Sequence, residues 1–485
     1  MKILLIALDG LGDRPILEKK SILKNLKNKE NKRKYEENFR NFELLTPLEA
    51  ANKPNIDRLA EEGITGLSYP IQPGMVPGSD TGFLSLFGYD PFRFYVGRGI
   101  LEALGAGIQI KPGELAFRAN FCTIEKKNNE WIIKDRRAGR ISNEEAKELA
   151  KQISNLEIEV SDEKKRRHKF ECSFYHTKSH RGVLVIRKKD SKEKTFKKGM
   201  GEERLKEEIE LNPLISDIDK HETGKFEFSK PLEESESAEI TAKVVNECIR
   251  KINEILENHA INKERKKKGL LPANCILIRG GSMIEKTNKE GTVKEGADYR
   301  GLYGWGVSIK PFYEKYEMKA ACVAGGALYK GVARYLGMDV VEVKGATAGY
   351  DTDLNAKVKA ALNALNNYDF VFLHFKATDV AGHDGDAEKK KEFIEKVDKA
   401  IAPVLKLKDT IIILTADHST PCIMKAHSAD PVPILIWGPE NIVRKDNINV
   451  FGERTVASGG LGQIRHTDVM SIVLGIIEKA KMFGT

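Results

Sequence analysis

The sequence predicts an α/β protein, a mostly parallel sheet flanked by helices with a smaller α/β domain inserted into it. Three observations carry this. Four short apolar runs, 3–8 (ILLIAL), 370–375 (FVFLHF), 411–415 (IIILT) and 433–437 (PILIW), are bounded by Gly, Pro or Asp. Strands buried on both faces of a parallel sheet read this way. In 388–405, Phe393, Val397, Ile401 and Leu405 recur every four residues along a lysine- and glutamate-rich stretch, the pattern of an amphipathic helix. Strand followed by helix, repeated, marks an open α/β sheet. The middle of the chain, by contrast, changes character.

Taken in order, the first run stops at Asp9 after six apolar residues. That is shorter than the ~7–15 residues of a secretory signal core, so it reads as a buried strand. Residues 18–43 are polar, rich in Lys and Asn, and read as a surface insertion. After Ser79, the residues TGFLSLFG read as the start of a helix. From about 111 to 305, charge runs at 163–170, 187–198 and 263–268 alternate with strand-like pieces (LAFRANFCTI, RGVLVIR, NCILIRG). Charge runs are ordinarily solvated, and the strand-like pieces among them predict a second domain. The expected division is 1–110 and 306–485 for a core, with 111–305 inserted. No internal repeat is visible.

The chain has 485 residues, 41% apolar and 31% charged, as a soluble globular protein does. The net charge of +9 is spread among mixed Lys and Glu. That spread argues against nucleic acid as a partner and leaves room for a small phosphorylated substrate. No apolar run approaches the ~18–20 residues that cross a bilayer. Six cysteines without a C-x-x-C pair read as reduced core thiols of a cytoplasmic protein.

Three of the buried-strand patterns run into an aspartate: LIALDG (Asp9), LHFKATD (Asp379) and ILTADH (Asp417). In open α/β sheets, ligands bind beyond the carboxyl ends of the strands. Three carboxylates gathered there repel one another unless cations neutralise them. Histidines stand where such cations need them: His383 in D-x-x-x-H spacing with Asp379, His418 next to Asp417, and His427 shortly after. Mixed carboxylate and imidazole ligands suit Zn or Mn, and ion pairs ~3.5–4 Å apart serve phosphoryl transfer. Singly, each has a plainer reading, since Asp caps helices and a lone His is usually structural. The set at the strand ends is what points to metal.

Ser79, in MVPGSDTGFLSLFGYDP, is the nucleophile candidate. A helix N-terminus favours a phosphoryl group, and metal coordination is one way to activate a serine hydroxyl. Serine before a helix is also an ordinary N-cap, and the two roles can coexist. The motifs G-x-S-x-G, G-x-x-x-x-G-K-[ST] and G-x-G-x-x-G are absent. Arg136, Arg137 and Arg140 (DRRAGRIS), Arg181, Arg279 and Lys330 are candidates for an anionic substrate, because guanidinium pairs with phosphate and carboxylate bidentately.

Together, LDGLGDRP, TPLEAANKPNIDRLAEEG, PGSDTGFLSLFGYDP, DRRAGRIS, LIRGG, AGGALYKGVARYLGMDVVEVKGATAGYDTD, FKATDVAGHDGD, TADHSTP, HSADPVP and RHTD resemble the archaeal-type 2,3-bisphosphoglycerate-independent phosphoglycerate mutases of the alkaline phosphatase superfamily. The resemblance runs over nearly the whole chain and implies an alkaline-phosphatase-like core. It implies two divalent ions (Mn, Zn, Co or Mg), one on Asp9, Ser79, Asp417 and His418, the other on Asp379, His383 and His427. No 2,3-bisphosphoglycerate is needed. It further implies that Ser79 takes the phosphoryl group of 3-phosphoglycerate and returns it to the other hydroxyl, giving 2-phosphoglycerate, a step of glycolysis and gluconeogenesis. The inserted domain would hold glycerate and exclude water, with Arg136, Arg140, Arg181, Arg279 and Lys330 as substrate contacts. His180, beside Arg181, is a candidate acid/base group for the glycerate hydroxyls.

Overall fold

The computed structural model describes residues 1–25, 29–128, 130–189, 210–284, 309–439, 442–480 and 482. Most of the charge run at 187–198 therefore lies outside the described residues. The chain forms two compact units, Met1–Phe94 with Ile309–Thr485, and Tyr95–Ser308. The first division falls before residue 110 because the helix Arg98–Gly105 packs on the strands Leu115–Lys127 and Cys275–Met283.

The first unit is built on an eight-stranded sheet. Its central strand, Lys2–Leu8, lies parallel between Phe370–Phe375 and Thr410–Thr415. Ala320–Val323 and Asp339–Val340 extend it in parallel on one side. On the other side come Val432–Trp437, Ile64–Tyr69 and Gly462–Arg465. All six residues of Phe370–Phe375, Thr410–Thr415 and Val432–Trp437 are buried, as their unbroken apolar runs predict. The run 433–437 departs in direction, for Val432–Trp437 is antiparallel to both neighbours. An unbroken apolar run records burial of both faces and carries no information about polarity. The helix Ala387–Ile401 buries Phe393, Ile394, Val397 and Ile401 against the sheet.

Register positions the loops that matter. Leu8 stands opposite Phe375, and Ala7 opposite Thr415, so three strands end side by side. The Asp9 N–H donates to the Phe375 carbonyl at 2.8 Å, carrying the pairing one residue into the loop.

The 18–43 stretch is more than a polar excursion. It forms the helices Lys19–Asn25 and Lys29–Asn38. Ile22, Tyr35 and Phe39 bury into a satellite core with Leu17, Leu45, Cys422 and Val450. Its Lys and Asn content reports the solvent face, while Tyr35 and Phe39, four apart, supply the inner one.

The second unit carries an antiparallel sheet in the order Gly224–Lys225, Glu130–Asp135, Leu115–Lys127, Arg181–Lys188, Arg167–Lys178, Leu156–Ser161, with Cys275–Met283 also paired to Leu115–Lys127. The helix Glu236–Glu257 covers it, burying Val244, Val245, Ile249, Ile252 and Leu256. All six cysteines are buried with free thiols. Among the described residues, no helix is long and apolar enough to cross a membrane.

Candidate active site and metal centre

Asp9 follows the first strand directly, fully buried. Asp379 and His383 sit four residues apart on the helix Ala377–Asp384, which starts just after Phe370–Phe375. Asp417 and His418 follow Thr410–Thr415, and His427 lies on the loop before Val432–Trp437. These loops can meet because glycine lets backbone approach backbone. Gly10 adopts φ +63° with Asp379 Cβ only 2.8 Å from where a Cβ of its own would stand. A Cβ on Gly82 would lie 2.3 Å from the Asp417 carbonyl oxygen; this close approach brings the helix Ser79–Leu86 against the Asp417 loop.

The structure thus gathers all six carboxylate and imidazole candidates. His418 Nε2 is 3.1 Å from Asp417 Oδ2, 3.6 Å from Asp9 Oδ1 and 3.9 Å from Asp379 Oδ1. His427 Nε2 and His383 Nε2 lie 3.4 and 3.5 Å from the same Asp379 oxygen. Two groups emerge whose donor atoms lie within 4.8 Å of one another: Asp379 with His383 and His427, and Asp9 with Asp379 and His418. Asp379 therefore reaches both sets, where the resemblance assigns it to one.

Ser79 is the first residue of its helix, and Gly78 occupies the cap position. The residue is only 3% exposed, yet its hydroxyl faces the polar cluster, with Oγ 3.0 Å from His418 Nε2. A plain N-cap role is therefore not what holds it.

The imidazoles are oriented by their second nitrogens. His427 Nδ1 donates to the Pro77 carbonyl at 2.8 Å, and His383 Nδ1 to the Lys425 carbonyl at 3.0 Å. The Thr420 hydroxyl donates to Asp379 Oδ1 at 2.7 Å, so it accepts from His418 Nδ1 at 3.0 Å. Each ring consequently turns Nε2 inward as an acceptor, the arrangement found behind metal-ligating histidines. Asp417 Oδ2 is buried with no hydrogen-bond partner, a costly condition unless a cation meets it. On these grounds the residues fit divalent ions.

Electrostatics agree. Burial opposes charge on Asp9, but Lys376 and a hydrogen bond from His374 outweigh it and bring its pKa down to about 2. Burial likewise opposes the charge of Asp379, and Lys376 leads the groups that hold it well below the carboxylate range. Sequence reasoning missed both partners. Lys376 Nζ is 2.8 Å from Asp9 Oδ1 and 2.6 Å from Asp379 Oδ2. His374 Nε2 donates to Asp9 Oδ2 at 2.9 Å, its ring stacked 3.7 Å from that of Tyr329. The available signal was a histidine inside an otherwise apolar run and a lysine at its end.

Of the basic candidates, Lys330 pairs with Glu342 at 2.6 Å in the first unit. The others belong to the second. Arg136 donates through Nε to Asp219 Oδ1 at 2.8 Å and through Nη1 to the His221 carbonyl at 3.1 Å; Arg279 bonds the His221 ring. Arg136, Arg137 and Arg140 line an open cavity of about 570 Å³ with Asp135, His221, Glu222 and Thr223. Arg181 begins its strand exposed. Burial, then Arg181, Arg137 and Arg118, push the neighbouring His180 down to about 4, so its ring is neutral near pH 7. Asp219 and His221 were not foreseen, because they lie outside any strand or motif.

Residues 1–475 match the family model of the metalloenzyme superfamily. The chain is 41% identical over 489 residues to a 2,3-bisphosphoglycerate-independent phosphoglycerate mutase of Archaeoglobus fulgidus, covering 100% of both chains. Among solved structures, it is similar to a protein of Pyrococcus horikoshii (35% identity, TM-score 0.72, covering 100% and 99% of the two chains). It is also similar to the cofactor-independent phosphoglycerate mutase of Thermoplasma acidophilum (32% identity, TM-score 0.59, covering 98% and 100%).

Proposed function

The chain belongs to the metalloenzyme superfamily and to the 2,3-bisphosphoglycerate-independent phosphoglycerate mutases, and on that premise we propose that Ser79 carries the phosphoryl group between the two hydroxyls of glycerate. The observation that supports it most is the placement of Ser79 Oγ 3.0 Å from His418 Nε2, amid Asp9, Asp379 and Asp417.

Two divalent ions, from the set Mn, Zn, Co or Mg, are held in this reading by Asp9, Ser79, Asp417 and His418, and by Asp379, His383 and His427. When bound, they supply positive charge to the phosphoryl oxygens and to the serine oxygen. The chain does the rest. Ser79 Oγ attacks the phosphorus of 3-phosphoglycerate, the ester oxygen leaves as a glycerate hydroxyl, and phosphoserine remains. The 2-hydroxyl then attacks phosphoserine and restores the serine. The position of Ser79 at the start of the helix Ser79–Leu86 supports a role for the positive end of that helix in favouring the transferred phosphoryl. The arginines of the second unit hold the anionic substrate, with His180 neutral as a proton acceptor for a glycerate hydroxyl. The reaction is the isomerase step of glycolysis and gluconeogenesis, without 2,3-bisphosphoglycerate.

Product analysis tests this. Purified protein with 3-phosphoglycerate and Mn²⁺ is expected to yield 2-phosphoglycerate without added 2,3-bisphosphoglycerate, and elemental analysis to find about two metals per chain. Inorganic phosphate as sole product would make the protein a phosphatase instead.

A further inference from the structure

Lys376 leaves its strand to place an ammonium between two carboxylates from different loops. Nζ lies 2.8 Å from Asp9 Oδ1 and 2.6 Å from Asp379 Oδ2, with the side chain 17% exposed. The Tyr329 ring lies 5.5 Å below it, an aromatic face that favours a cation. In the proposed reading Asp9 and Asp379 serve different ions, so one lysine touches a ligand of each.

We propose that Lys376 is a third, built-in cation of this centre, a positioning residue that holds Asp9 and Asp379 together and limits how tightly divalent ions bind. This rests on the two-metal reading. The physical case is competition. An ammonium within hydrogen-bond distance neutralises part of the charge that a divalent ion would otherwise meet; on Asp9 it occupies Oδ1, the oxygen that also faces His418, and on Asp379 it occupies Oδ2 beside the Oδ1 that faces the histidines. Asp417 Oδ2, by contrast, has no hydrogen-bond partner, so the constraint is specific to Asp9 and Asp379. A neutral side chain at 376 frees these carboxylates to repel one another until metal arrives. Arginine retains the charge on a different, planar head.

Calorimetric titration of chelator-stripped protein with Mn²⁺, together with thermal unfolding, tests this in the wild type, K376M, K376Q and K376R. The neutral variants are expected to bind Mn²⁺ about tenfold or more tightly, with K376R within about threefold of the wild type. Stripped K376M and K376Q should unfold at a lower temperature than the stripped wild type, and saturating Mn²⁺ should close that gap. Equal or weaker Mn²⁺ binding in both neutral variants would overturn the proposal, as would an unfolding gap that Mn²⁺ leaves unchanged. A wild type that binds no metal would overturn the two-metal reading first and this inference with it, an outcome visible without any variant.

Discussion

The two units solve different problems with different sheets. In the first, parallel strands end at a common edge, so residues as distant as Asp9, Asp379 and Asp417 converge because each follows its own strand there. Carboxylate and imidazole dominate that edge. In the second, the strands are antiparallel, and arginine dominates. Arg136 follows the strand Glu130–Asp135, Arg279 sits where the ladder of Cys275–Met283 shifts register, and Asp219 and His221 come from a connection. A parallel edge collects chemistry at predictable places. An antiparallel sheet collects it wherever register and turns happen to bring side chains together.

This division can be broken most forcefully at Ser79. If the first unit carries the chemistry, Ser79→Ala should reduce kcat by at least ~10³-fold, with substrate binding little changed. Rapid mixing with ³²P-labelled substrate should leave the variant unlabelled where the wild type retains label. A variant with near-normal turnover would move the nucleophile elsewhere.

Arg136 sharpens the same contrast with a smaller effect. Its bonds to Asp219 and to the His221 carbonyl fix the guanidinium beside the cavity it lines. A charge-assisted contact contributes about 1.5–3 kcal/mol, so Arg136→Ala should raise KM for 3-phosphoglycerate roughly 10–100-fold. Metal content should stay as in the wild type. Loss of metal instead of substrate affinity would deny the second unit its proposed anion-holding role.

The contrast also explains what could be read without coordinates. The edge residues were legible because each stands beside a strand whose apolar run is unmistakable, and because D-x-x-x-H places two side chains on one helix face. Lys376 and His374 were passed over because an apolar run draws attention to its hydrophobes. The antiparallel direction of Val432–Trp437 was illegible in principle, since burial on both faces does not encode polarity. The 18–43 helices were hidden by their composition, as Ile22, Tyr35 and Phe39 are the few residues that record the buried side. Asp219 and Asn120, which bond one another at 3.2 Å, lie 99 positions apart, and no local pattern announces such a pair.

The smallest effect concerns how the first unit holds the loop after its first strand. Asp13 anchors that loop, paired with the buried Lys390 at 2.7 Å, while its backbone N–H donates to Glu453 Oε1 at 3.1 Å. Glu453 also accepts from the Thr46 hydroxyl at 2.6 Å. Glu49, nearby, is engaged by Arg454. Burial and then the Glu49 carboxylate push Glu453 up from the ordinary 4.5 to about 8. Between these values the folded chain keeps a proton that the unfolded chain has released, so stability falls as pH rises through the window and levels off above it. Wild-type Tm should therefore drop between about pH 5 and about pH 8, and Glu453→Gln, which carries no titrating proton there, should flatten part of that drop. Equal slopes in the two proteins would place the pH dependence in other groups. A flattened slope would show the first unit holding a protonated carboxyl beside the loop that follows its first strand.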